Sequence, residues 1–135
     1  MKKTNLIAIT LLVALFASLV GCSSAPEPPD VLILEDIYPT INFIWIEITN
    51  NDRYTKVCAI KESDEVLLHL GSIQFSKDLK FKKQHTVLYE IKFVYNYKVR
   101  KTMYILGDDS IVYDGYIYKA SDDSIDLEYL AAIFE

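Results

Sequence analysis

Histidine and cysteine are scarce in this chain of 135 residues, with two of each, and the scarcity removes whole classes of chemistry. Cys22, Cys58, His69 and His85 form no cluster at the ligand spacing of a zinc site. His69 sits among Leu67, Leu68 and Leu70, the setting of a structural histidine, while His85 belongs to a basic run suited to solvent. Glycine is nearly as rare, at positions 21, 71, 107 and 115. There is accordingly no phosphate-cradling Gly-rich loop and no Gly-x-Ser-x-Gly turn, and no His-Glu-x-x-His helix appears. A calcium loop starting at Asp122 fails where it needs glycine and a bidentate glutamate, because Leu127 and Ile133 stand there. Asp108, Asp109, Asp122 and Asp123 could supply paired carboxylates for glycosidic cleavage, but they lie in turn-forming stretches. No cofactor, metal or catalytic residue is expected, and the chain reads as non-enzymatic.

Long apolar runs are missing too. The longest, Leu6 to Val20, is short against the roughly 20 residues that a bilayer-spanning helix needs. It follows Lys2 and Lys3 and ends in Leu19-Val20-Gly21-Cys22, the order of parts in an export signal. That ending resembles the lipobox of bacterial lipoproteins. The resemblance implies cleavage after Gly21, loss of the signal peptide 1–21, and a diacylglycerol on the Cys22 thiol with an acyl chain such as palmitate on its amine. Three acyl chains anchor durably where one is marginal. In enterobacterial lipoproteins an Asp after the lipidated cysteine favours the inner membrane; Ser23 stands here. Outer-membrane anchoring is implied, with the domain facing the periplasm. Cys58 is then left without an internal partner, and its neighbours Val57, Ala59 and Ile60 suit a small buried hydrophobe better than a reactive thiol.

Three of the four prolines fall at 26, 28 and 29, so residues 22–30 read as the lipidated cysteine and an extended tether. At roughly 3.1 Å per residue, Ser23 to Asp30 would keep the domain within about 25 Å of the lipid. Residues 31–135 make a single domain. The mature chain is acidic, but unevenly. Residues 22–76 carry three basic and nine acidic side chains, 77–101 eight and two, and 102–135 one and eight. The basic block either pairs with its acidic flanks on the folded surface or makes a patch, through Lys77, Lys80, Lys82 and Lys83, for an acidic partner or lipid headgroups.

Periodicity predicts strands. Val31 to Leu34 is a short one, and Ile41 to Thr49 and Tyr54 to Ile60 flank the turn Asn50-Asn51-Asp52-Arg53. Val66 to Leu70 is a further apolar run, stopped by Gly71-Ser72. In Thr86 to Tyr97 alternate positions are apolar or aromatic, placing Val87, Ile91 and Phe93 inward. Val99 to Leu106 and Ile111 to Lys119 flank a Gly-Asp-Asp-Ser turn, and Gly115 within the second implies a bulge or a close backbone approach. Residues 125–135 fit either a final strand, which the alternation Ile125, Leu127, Tyr129 favours, or a short helix capped by Asp123 or Ser124. The expected fold is mainly β, an antiparallel β-sandwich or small barrel, with room for a short C-terminal helix.

Seven of the ten tyrosines fall within residues 86–118. They are either half-buried strand residues or a binding face with polar tips. Tyr116 and Tyr118, read as sharing a strand face with Asp114, join Lys80, Lys82 and Lys83 as candidate partner-binding residues. Nucleic acid is excluded as a partner by the acidic balance and by export. Lipobox, proline tether and a β-rich domain of this size together resemble small bacterial envelope lipoproteins, including immunity lipoproteins of type VI secretion toxin systems. The resemblance implies a binding protein that occludes a toxin in the periplasm. The other class in view is an envelope structural or assembly accessory that binds peptidoglycan, lipid or an outer-membrane partner.

Overall fold

The computed structural model describes residues 27–122 and 124–135. The expected signal peptide, the lipidation of Cys22 and tether residues 22–26 lie outside the described residues, as does Asp123. Eight strands form one antiparallel sheet: β1 (Val31–Ile33), β2 (Trp45–Asn50), β3 (Thr55–Cys58), β4 (Gln74–Lys80), β5 (Val87–Tyr95), β6 (Lys98–Leu106), β7 (Ser110–Tyr113) and β8 (Tyr116–Ala120). Their order is β1-β4-β8-β7-β6-β5-β2-β3, with β1 and β3 at the edges, so the sheet does not close. The fold is therefore mainly β and antiparallel. Three helices complete it: α1 (Leu34–Ile37), α2 (Ile60–Gly71) and α3 (Leu127–Ala132), with a 3-10 turn at Tyr38–Thr40.

Cross-strand pairs show why the helices gather on one face. Ile48, Ile91 and Met103 lie opposite one another across β2, β5 and β6, and Ile105, Ile111 and Tyr118 do so across β6, β7 and β8. Together with Phe93, Phe75 and Leu32 these side chains form the buried core against Leu34 of α1, Val66, Leu67 and Leu70 of α2, and Leu130 of α3. The opposite face carries a smaller cluster of Leu106, Val112 and Ile117 under Phe81, Val87 and Tyr104. Phe81 opens the loop 81–86, whose path from β4 to β5 lies across that outer face.

Five expectations are corrected by this architecture. Val66 to Leu70 is no strand: Ser63, Val66, Leu67 and Leu70 are the buried side of α2, at helical spacing. Gly115 makes no bulge; with φ of 48° at Asp114 and 79° at Gly115, the two residues form a tight hairpin turn that needs left-handed backbone at both positions. Ile111 to Lys119 is consequently two strands, and Tyr116 and Tyr118 do not continue the face of Asp114. The C-terminal segment is helical, and its cap is Asp126, whose carboxylate accepts the Tyr129 N–H at 2.9 Å. Val87 does not share the inner face with Ile91 and Phe93, because a register shift between Val87 and Tyr89 turns it to the outer cluster.

Since every neighbouring pair is antiparallel, one end of the sheet collects the last residues of β3, β4, β5 and β7 and the first of β1, β2, β6 and β8. Lys80, Lys98 and Arg100 belong to that end. The opposite end has the turns bearing Asp52, Asp108 and Asp109, followed by Asp122 after β8. The basic block thus gathers toward one end, where Asp30 and Asp114 pair with Lys77 and Lys101, and acidic turns gather at the other.

Candidate binding surfaces

The predicted partner-binding residues separate into three environments. Lys80 pairs in register with Tyr116, and the Lys80 and Lys77 ammonium groups lie 6.0 Å and 5.4 Å from the Tyr116 ring centre. Lys82 and Lys83 are exposed on the crossing loop. Tyr118 is the exception: it is fully buried, in the core that the Asp114-Gly115 turn directs it into. Its hydroxyl donates to the Pro29 carbonyl oxygen at 2.8 Å, and burial pushes its phenol pKa up. Lys77 completes this anchorage. Its backbone N–H donates to the Asp30 carbonyl at 2.8 Å, and its ammonium donates to the Pro28 carbonyl at 3.3 Å and pairs with Asp30 at 3.0 Å. Residues 28–30 are therefore docked along β4 and β8 instead of standing off as an open tether.

Groups able to do chemistry are held in structural roles. Cys58 is buried and free; burial, with Glu62 nearby, pushes its thiol pKa up, the opposite of what a nucleophilic thiolate requires. His69 stacks on Tyr129 with ring centres 3.6 Å apart, and its Nδ1 lies 3.8 Å from the Asp126 carboxylate, beyond hydrogen-bond length. The contact joins α2 to α3. His85 Nδ1 lies 2.9 Å from the Lys82 carbonyl and shapes the crossing loop. Asp109, left-handed at φ 56°, accepts the Ile125 N–H at 3.0 Å and so ties the C-terminal segment to the β6–β7 turn. Among the described residues no three His, Cys, Asp or Glu side chains gather to hold a metal ion.

Among the described residues, two apolar surfaces stand outside these roles. One is a groove of about 360 Å³ between the 3-10 turn and α2, with Tyr38, Pro39, Phe43 and Leu67 among its lining and the carboxylates Glu35 and Asp64 beside them. Gly71 lets α1 and α2 approach closely: a β-carbon there would lie 3.3 Å from Glu35 Cβ, a contact that requires Glu35 to give by a few tenths of an ångström. Leu68 lines the same groove and is 76% exposed. The hydroxyl of Tyr38 is buried without a hydrogen-bond partner among the described residues, a state that costs on the order of 1–3 kcal/mol. Burial drives its pKa far above the usual phenol range. The second surface is apolar, with Ile44, Trp45, Val57 and Ile60 at the free β3 edge, next to the β5–β6 turn. The β3 edge, the exposed Leu68 and the groove beneath α1 escape sequence reading because each depends on which elements become neighbours. Comparison with protein-family models, curated proteins and solved structures finds no match to this chain.

Proposed function

We propose that the protein is an outer-membrane lipoprotein facing the periplasm and working as a non-enzymatic binding module, an immunity protein that occludes a toxin. The lipobox supports the address. The groove between the 3-10 turn and α2 supports the binding role: it pairs an apolar floor with the carboxylates Glu35 and Asp64 and leaves Leu68 in solvent. Such a site suits a protein segment that inserts an apolar side chain and flanks it with basic ones, since apolar burial supplies affinity and charge supplies orientation. Occlusion is stoichiometric, so protection should scale with the amount of lipoprotein.

A challenge assay tests this. Cells lacking the gene should be killed by toxin-delivering neighbours that spare the parent, and Leu68→Asp should fail to restore protection while folding as the parent does. Unchanged survival of the deleted strain under challenge would remove the immunity function. An envelope defect in that strain without any challenge would favour an assembly accessory instead.

A further inference from the structure

The β5–β6 hairpin outgrows β7 on one side, while on the other β2 keeps pace with it as far as Trp45 opposite Val94. β6 pairs with β7 only through Tyr104 with Val112 and Ile105 with Ile111. Lys101 still reaches the β7–β8 turn, where it pairs with Asp114, so Lys98 to Arg100 run on past β7, by roughly 10 Å at about 3.3 Å per residue. At the tip, Asn96 and Tyr97 are both left-handed, with φ of 50° and 61°. Turns of this type favour glycine at the second position, yet here it is a tyrosine, and it is 93% exposed. A bulky ring held in solvent on unfavourable backbone does little for folding, and outliers of this kind point to function.

The surroundings of Tyr97 indicate what it meets. The ring lies edge-on to Trp45 with centres 5.6 Å apart, and Ile44, Val57, Ile60 and Val99 close by in the fold are exposed. No carboxylate occurs between Glu90 and Asp108. Lys98 and Arg100 make no ion pair among the described residues. The nearby carboxylates are Glu47, which accepts the Trp45 indole N–H at 3.3 Å, and Asp114, which pairs with Lys101; the tip itself presents amphipathic aromatic rings flanked by Lys98 and Arg100 with apolar neighbours, a combination that matches the headgroup boundary of an anionic bilayer. Chain entry argues for lipid over an acidic protein. Residues 28–30 dock against the strands that lead to this end, and Cys22 precedes Pro28 by six residues, a reach of at most about 20 Å. So short a tether keeps this end of the sheet near the lipid.

We infer that the β5–β6 tip, Tyr97 with Lys98, Val99, Arg100 and Trp45, seats on anionic phospholipid headgroups and orients the tethered domain. This rests on the lipid-anchored reading above. Seated in this way, the lysine-bearing end meets the membrane and the acidic end points into the periplasm.

Trp45 is the sole tryptophan and reports on the contact directly. Full-length protein purified from membranes is reconstituted into vesicles of acyl-brominated phosphatidylcholine with or without phosphatidylglycerol. Trp45 emission should shift to the blue and lose roughly half its intensity only where phosphatidylglycerol is present, as for a ring entering the interface. Tyr97→Asp combined with Arg100→Glu should abolish both changes while leaving the circular dichroism spectrum intact. Equal quenching in parent and variant, or none in either, overturns the proposal. So does a co-purifying protein that the variant loses while Trp45 stays indifferent to lipid. The mass of the Cys22 peptide from the same preparation separates the two claims. An acylated but unquenched protein defeats the hairpin contact alone, and a quenched protein without acyl chains defeats the anchoring alone.

Discussion

Phe93 and Lys92 are neighbours in the chain with opposite consequences. Phe93 is buried, with the rings of Phe43 and Tyr38 centred 5.1 Å and 5.9 Å away; Lys92 faces the outer side and pairs with Glu90 at 3.0 Å. Phe93→Ala should cost about 3–5 kcal/mol, and Lys92→Ala less than about 1 kcal/mol because the ion pair is partly solvated. Denaturant unfolding measures both, and equal losses would refute the register of β5. Tyr97→Gly should leave stability within about 0.5 kcal/mol: relief of left-handed strain is offset by the entropy of an added glycine and by the lost contact with Trp45. A large loss would mean that Tyr97 serves the fold. The alternation from Tyr89 to Phe93 was legible because strand period alone determines it. The burial of Tyr118 was not, since it follows from a turn at Asp114-Gly115 that reverses the chain, and a single glycine in a strand-like run signals a bulge equally well.

At the scale of elements, the strands were easier to read than the helices. β2 with β3, β5 and β6 carry β-branched and aromatic residues between turn formers, whereas α2 hides its period behind the polar stretch Lys61 to Glu65. Its signal was present in Ser63, Val66, Leu67 and Leu70, spaced for one helical face, and in Glu62, whose carboxylate accepts the Ala59 N–H at 3.0 Å. Ser63 is the least expected member. Buried, it donates to the Cys58 carbonyl at 3.0 Å and accepts the Ile46 N–H at 3.2 Å, so one hydroxyl pins the start of α2 to β2 and to the end of β3. Ser63→Ala should leave two buried backbone groups unpaired and cost about 1–3 kcal/mol. In hydrogen exchange the Ile46 amide should lose protection ahead of the rest of β2. Uniform loss across β2 would show that the bond has no local role.

At the scale of the whole molecule, charge order along the chain becomes charge order in space because strand direction alternates. The first and last residues of β4 and β6 reach opposite ends, carrying Lys80, Lys98 and Arg100 to the end where the chain enters at Asp30. Composition could reveal the blocks but not the ends at which they gather, which need the strand order. The docking of residues 28–30 was equally hidden, since prolines mark an extended chain without saying whether it is held. One consequence bears on anchoring. Tyr118 and Lys77 hold the chain from Pro28 onward, so the domain should fold whether or not Cys22 carries lipid. Cys22→Ser should then abolish fatty-acid labelling while leaving the thermal midpoint of the domain unchanged. The unlipidated protein should associate with membranes only through the hairpin tip, an electrostatic contact that screening weakens once the Debye length falls to about 3 Å near 1 M salt. It should accordingly appear in the salt-extractable fraction, while the parent resists extraction. Labelled fatty acid on the Cys22→Ser protein, or extraction of the parent by salt alone, would show that Cys22 is not the anchor.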